Sequence, residues 1–240
     1  MEIARTFILL VEGRTDAVLY KTLIEKVTDC REYGIEYLNY SIRMLLSKIM
    51  VHKRDFIVLK MKSKILVIID CRGYDRLKYY LRELIDNDYF IESMDNGLVG
   101  IIVAANKDKS PMDSIYGILT SLGCRISRNS YCFKIAVMEN RYFPIYIIEQ
   151  GFKDGVRAIE DELDQLAEQL DPVMAKAINT VEKILKIKLL PTQRLGIIEA
   201  IKVNNNGLPA LIPKLIEEAS LEELRKKLYN QFRLFDSINT

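Results

Sequence analysis

Phe7-Ile8-Leu9-Leu10-Val11-Glu12-Gly13-Arg14-Thr15-Asp16-Ala17-Val18-Leu19-Tyr20 is the stretch that decides the fold. Its five consecutive apolar residues, 7–11, read as a strand covered on both faces. Gly13 permits a tight turn, Thr15 stands as the expected helix N-cap, and residues 17–27 carry helical periodicity. One carboxylate, Glu12, is thereby delivered to the end of a buried strand and a second, Asp16, to the next turn, on the same rim. Such a pair suits phosphodiester chemistry, because a hard cation takes one or two carboxylates and completes its shell with water and substrate phosphates.

Working outward, strand followed by helix recurs at residues 6–27, 64–86 and 98–122. Lys64 to Asp70 reads Lys-Ile-Leu-Val-Ile-Ile-Asp, continues into Cys71-Arg72-Gly73-Tyr74-Asp75, and leads to a helical stretch over residues 76–85. Leu98 to Ala105 reads Leu-Val-Gly-Ile-Ile-Val-Ala-Ala and runs through Asn106-Lys107-Asp108 and Ser110-Pro111 into a helical stretch over residues 112–122. This alternation predicts an α/β fold with a mostly parallel sheet flanked by helices and joined by right-handed crossovers. Sheets of that kind place their sites at the carboxyl ends of the strands, where Glu12, Asp70 and Asp108 all fall.

Val-Glu-Gly-x-x-Asp after an apolar strand resembles the first motif of the Toprim domain. That domain is shared by topoisomerases, DnaG-type primases and nucleases of the OLD (overcoming lysogenization defect) family, and the chain is similar to small archaeal and OLD-like members. The resemblance covers about the first two thirds of the chain and implies a Toprim-like, Rossmann-like fold. It implies acid/base work for the motif glutamate, Glu12, and metal binding by a later Asp-x-Asp at a parallel strand end. By chain order the third strand matches that position, where Ala104 and Asn106 replace the two aspartates and Asp108 follows. Taken from the second strand, the acids are Asp70 and Asp75, whose spacing is not Asp-x-Asp, while Gly73 matches the glycine turn of OLD-like proteins.

Between the first helix and second strand lies an insertion near residues 33–55, with a helical pattern over residues 36–51 and a strand at 56–61 paired beside the next. Residues 132–138 and 144–148 are short apolar segments that read as a hairpin or two edge strands. Strand signals then stop. Helical patterns follow at residues 156–170, 172–185, 192–203, 208–218 and 221–235, and Ser220-Leu221-Glu222-Glu223 is a capping-box signature. The expected organisation is a Toprim-like domain over residues 1–153 and a helical domain over 154–240.

At 240 residues and 49% hydrophobic, the chain can bury a substantial core. No apolar run approaches the ~20 residues that span a bilayer, and the amino terminus lacks a signal-peptide pattern, so a cytoplasmic location is expected. Cys30, Cys71, Cys124 and Cys132 have no zinc-cluster spacing and read as reduced thiols. Abundant Ile, Lys and Glu with no Trp is compatible with a thermophilic, archaeal-like source. His52 alone argues against Ser-His-Asp and Cys-His mechanisms.

The formal charge is +2, so any nucleic-acid binding must rest on local patches. Arg43, Lys48, Lys53, Arg54, Lys60, Lys62 and Lys64 form one such stretch, with Asp55 its sole acid. Arg14, Arg72, Lys107 and Lys109 share the strand-end loops with the acids, where they can hold phosphates or serve as ordinary surface charge.

Each candidate also has a purely structural reading. Asp16 is a first-turn acid that complements a helix dipole, Asp70 a turn former, Asp108 part of a polar loop, and Ser110 an N-cap before Pro111. Glu160 is either a distant metal ligand or, the favoured reading, a dipole-complementing acid. Arg14 and Arg72 either grip phosphate or neutralise their neighbours. No Walker motif or dinucleotide fingerprint is present.

The functional expectation is a nucleic-acid-binding protein, DNA or RNA, that acts as a Mg²⁺- or Mn²⁺-dependent nuclease. Glu12 is then the acid/base group, Asp16 and Asp70 or Asp108 the metal ligands, and Arg14, Arg72 and Lys107 the phosphate contacts, with Gly13 and Gly73 shaping the turns. The alternative is a catalytically degenerate Toprim module that serves as a nucleic-acid or protein-binding scaffold. A homodimer or a protein partner remains open in either case.

Overall fold

The computed structural model describes residues 4–47, 49, 56–129, 131–138, 141–151, 159–203 and 206–239. An eight-stranded mixed sheet has the order β2-β3-β4-β1-β5-β8-β7-β6. Its strands are β1 (Arg5–Val11), β2 (Cys30–Tyr33), β3 (Phe56–Met61), β4 (Lys64–Asp70), β5 (Leu98–Asn106), β6 (Ile126–Asn129), β7 (Cys132–Met138) and β8 (Arg141–Gln150). The centre is parallel: β1 pairs with β4 and β5, and β5 with β8. Both wings are antiparallel, β2-β3-β4 on one side and β8-β7-β6 on the other. The fold is therefore α/β with a mixed, partly parallel sheet and a helical carboxy-terminal region.

The apolar runs seen in the sequence are buried on both faces because helices cover both. Ile8 and Leu10 of β1, with Val67 and Ile69 of β4, face α2 (Tyr40–Ser47), α3 (Tyr74–Ile85), α4 (Phe90–Asp95) and α5 (Pro111–Ser121). Phe7, Leu9 and Val11 face the opposite way, toward α1 (Arg14–Val27) and α11 (Tyr229–Asn239), where Leu234 and Ile238 complete the core. Helix α1 is sandwiched. Its Ala17, Tyr20 and Ile24 meet the sheet, while Leu19 and Leu23 join a third core with α6 (Ile159–Leu170), α8 (Pro191–Val203) and α9 (Leu208–Glu218). Two more helices, α7 (Pro172–Leu185) and α10 (Leu221–Lys227), complete the carboxy-terminal region.

Several boundaries differ from the sequence reading. Helix α1 begins at Arg14 with Gly13 as its N-cap, so Thr15 lies inside the helix. The Gly13 N–H is satisfied by Asp16 Oδ2 at 3.1 Å, which replaces the hydroxyl cap. The expected helix over 36–51 is a 3₁₀ turn at Ile35–Tyr37 followed by α2, because Asn39 Oδ1 accepts the Ser41 N–H at 3.1 Å and starts a new helix there. Positions 48 and 50–55, with His52, Lys48, Lys53 and Arg54, lie outside the described residues, as do 152–158, including Gly155.

β8 is an interior strand flanked by β5 and β7, and the chain's short edges are β2 and β6. The expected last helix is two helices broken at Leu228, where a buried leucine turns the chain so that α11 reaches the sheet. Pro111 opens α5 as expected, but Ser110 makes no side-chain cap bond and sits at φ 46. The four cysteines are free thiols. Among the described residues no helix is long and apolar enough to cross a membrane.

Candidate active site

The parallel register fixes what meets at the carboxyl edge. Val11 stands beside Asp70 on one side and Ala104 on the other, and Asn106 stands beside Gln150. Glu12 therefore projects from the middle of four aligned strand ends. Its side chain leans toward β5, where the Asn106 N–H donates to Glu12 Oε1 at 2.6 Å. Burial holds the Glu12 carboxyl above its usual range; the Asn106 N–H opposes this, Asp108 and Glu160 add to it, and Lys109 offsets it.

Asp16 lies one helical turn on and is buried. Its carboxyl is pushed up to about 7, first by burial and then by repulsion from Glu12 and Glu160, against the Gly13 N–H and the Gln150 amide. Glu12, Asp16, Asp108 and Glu160 thus form one electrostatic group, assembled from β1, α1, the loop after β5 and the first turn of α6. Three side-chain oxygens at this edge, Asp16 Oδ1, Asn106 Oδ1 and Gln150 Oε1, are buried without a hydrogen-bond partner. Each such acceptor has capacity for one further donor, water or cation.

Asp70 occupies a different position. Its Oδ1 accepts the Arg72 N–H at 3.0 Å, the turn-forming bond that an aspartate makes in this setting. Arg72 at φ 55 and Gly73 at φ 125 complete the turn, and Gly73 donates to the Glu12 carbonyl at 2.6 Å. Only glycine adopts the Gly73 conformation readily, so the turn that docks against Glu12 is written into the sequence. Asp70 opens with Arg14 and Arg72 onto a groove of about 780 Å³ beside α1, in which Lys21 is already paired with Glu32. Cys71, fully buried behind the acids, has its thiol pushed well up by burial and by Asp70, which removes it as a nucleophile.

Of the sequence candidates, Glu12, Asp16 and Asp108 come together, Asp70 stands one strand away, and Arg14 and Arg72 share its groove. Lys107 lies in the 3₁₀ turn at Lys107–Lys109, and it is Lys109 that offsets Glu12. Glu160 faces the acids rather than only its own helix. Gln150 and Tyr74, whose phenol is pushed up by burial and by Glu12, also belong to this edge. The available signals were the position of Gln150 just beyond Glu149 at the end of the apolar run Ile147-Ile148, and an aromatic directly after Gly73.

A solved structure shares this fold. It is the crystal structure of a hypothetical protein from Pyrococcus horikoshii OT3, at TM-score 0.67 and 20% identity, covering 95% of this chain and 94% of that one. At that identity the likeness shows the fold alone. No family model matches the chain, and no curated protein does.

The donor chemistry at the edge is all oxygen, carboxylates with unpartnered amide carbonyls, which fits a hard cation and not zinc or copper. Among the described residues no group of three or more acid, histidine or cysteine side chains is placed to hold a metal ion. Glu12 and Asp16 could hold a cation that keeps most of its water, which is how Mg²⁺ is ordinarily bound.

Proposed function

We propose that the chain is a Toprim-fold, OLD-like cytoplasmic protein that binds nucleic acid and hydrolyses phosphodiester bonds with Mg²⁺ or Mn²⁺. The observation that carries this reading is the gathering of Glu12, Asp16, Asp108 and Glu160 at one edge, where repulsion and burial hold two carboxyls above their ordinary range. A fold gains nothing in stability from such crowding, and acids perturbed by burial and by each other are a feature of sites of chemistry. Glu12, with its carboxyl raised, is the acid/base group that takes a proton from water or returns one to the leaving oxygen. Asp16 and either Asp70 or Asp108 would hold the cation, which supplies charge stabilisation to the phosphoryl oxygens and a lower pKa to the attacking water. Arg14, Arg72 and Lys107 position the phosphates.

The test is cleavage of single- and double-stranded DNA and RNA by purified protein with Mn²⁺ or Mg²⁺. We expect cleavage that Glu12→Gln abolishes, with Mn²⁺ raising the melting temperature of the wild type and not of Asp16→Asn. Absence of metal-dependent cleavage by the wild type rejects hydrolysis.

A second reading has its own support. Ala104 and Asn106 stand where the resemblance places two aspartates, and among the described residues no group of three or more acid, histidine or cysteine side chains is placed to hold a metal ion. On that reading the edge is a degenerate binding scaffold. Nucleic-acid binding without cleavage, unchanged by Mn²⁺, would select it.

A further inference from the structure

Helix α7 is amphipathic in sequence yet buries only Ile178 fully. Val173, Val181, Ile184 and Leu185 are 80%, 47%, 71% and 59% exposed, and Ile187 and Leu190 in the connection to α8 are 48% and 63% exposed. These six side chains present roughly 600 Å² of apolar surface, at the top of the range that monomers expose and close to the ~800 Å² per partner of a standard interface. The face is held rigidly. The buried Arg194 of α8 bonds Asn179 at 3.0 Å and Glu182 at 2.9 Å on α7, and Asp164 at 2.9 Å on α6.

The spacing along this face is a coiled-coil seam. Met174, Ala177, Val181 and Ile184 follow intervals of three, four and three, the a and d positions of two heptads, with Ala177, Val181 and Ile184 exposed and Met174 half-buried where the stripe meets the chain's own helical core. Laid antiparallel on a second copy about a twofold axis near residue 179, the stripe sets Met174 opposite Ile184 and Ala177 opposite Val181. The small Ala177 admits close approach. Thr180 then faces its own counterpart, and Lys176 and Lys183 fall at outward positions, so no ammonium groups are brought face to face. A surface complementary to itself is the requirement for an isologous dimer.

We propose that α7 forms the seam of a symmetric homodimer, independently of what the acid edge does. Light scattering on the full chain over a roughly hundredfold concentration range should give twice the mass of the 27.8 kDa chain. Ile184→Glu and Val181→Glu should each return the monomer mass while circular dichroism and melting stay native. Thr180→Cys should form a reducible covalent dimer on mild oxidation, whereas Lys183→Cys should not. A folded wild type that stays monomeric overturns the proposal, whether or not it binds lipid vesicles or another protein through this face. A dimer that survives both glutamate variants, with no cross-link at position 180, overturns it equally.

Discussion

Glu162 shows at the residue scale how this protein buries charge. It lies in α6 with the Gly151 N–H on Oε1 at 3.2 Å and Gln231 Nε2 on Oε2 at 2.5 Å, and burial pushes its carboxyl up to about 7. Because the folded value lies above the unfolded one, the acid form stabilises the fold. That contribution is complete below about pH 4.5 and is lost as pH rises through 7, a difference on the order of 3 kcal/mol. Glu162→Gln should therefore raise the melting temperature at pH 8 and change it little at pH 4, as thermal melts would report. The Gln231 Oε1 now without a partner can accept from the new amide after a flip. Residues at the acid edge were unequally legible. Glu12 and Asp16 are visible because a glycine turn and a helix fix their spacing along the chain. Lys109 was legible as a cation in the same strand-end loops and Glu160 as one of two readings of a first-turn acid, whereas Gln150 joins them only through the pairing of β8 with β5, which single-sequence periodicity does not encode.

At the scale of elements, α6, α7 and α8 are bolted together by one guanidinium. Arg194 is 6% exposed and also pairs with Glu168. Removing one partner of a buried ion network strands the rest, so Arg194→Met should cost about 3 to 5 kcal/mol at neutral pH, measured by urea denaturation. Asp164 is pushed up to about 6 by burial, with Glu168 adding and Arg194 opposing, so the loss should shrink at pH 5, where that carboxyl takes a proton. Most elements were readable from apolar periodicity; α7 and α9 match to the residue. Strand β2 was invisible because Cys-Arg-Glu-Tyr has no apolar alternation and is a strand through its pairing with β3. The break between α10 and α11 was equally hidden, since no proline or glycine marks Leu228, the buried residue that ends α10.

For the whole molecule, a formal charge of +2 gives no general attraction for polyanions, so the proposed nucleic-acid binding rests on the groove that Arg14 and Arg72 line with Asp70. Each arginine that contacts a phosphate adds about 0.9 to the slope of log affinity against log salt on a duplex. Arg14→Ala with Arg72→Ala should lower that slope by about 2 and weaken all sequences alike, as fluorescence anisotropy across a salt series would show. The mixed sheet has a consequence for how such a site comes into being. Strands β3 and β4 are joined across Lys62 and Ser63, and β7 and β8 are consecutive, so these pairings close short loops. The seams β1-β4, β1-β5 and β5-β8 join distant segments and bear the larger closure entropy. Pulse-labelled hydrogen exchange should protect Leu59 and Leu66 in the hairpin before Leu9 and Leu10. Neighbouring carboxylates are then forced together only as the last seams zip, and a half-built chain holds its hairpins while its acids remain scattered in water.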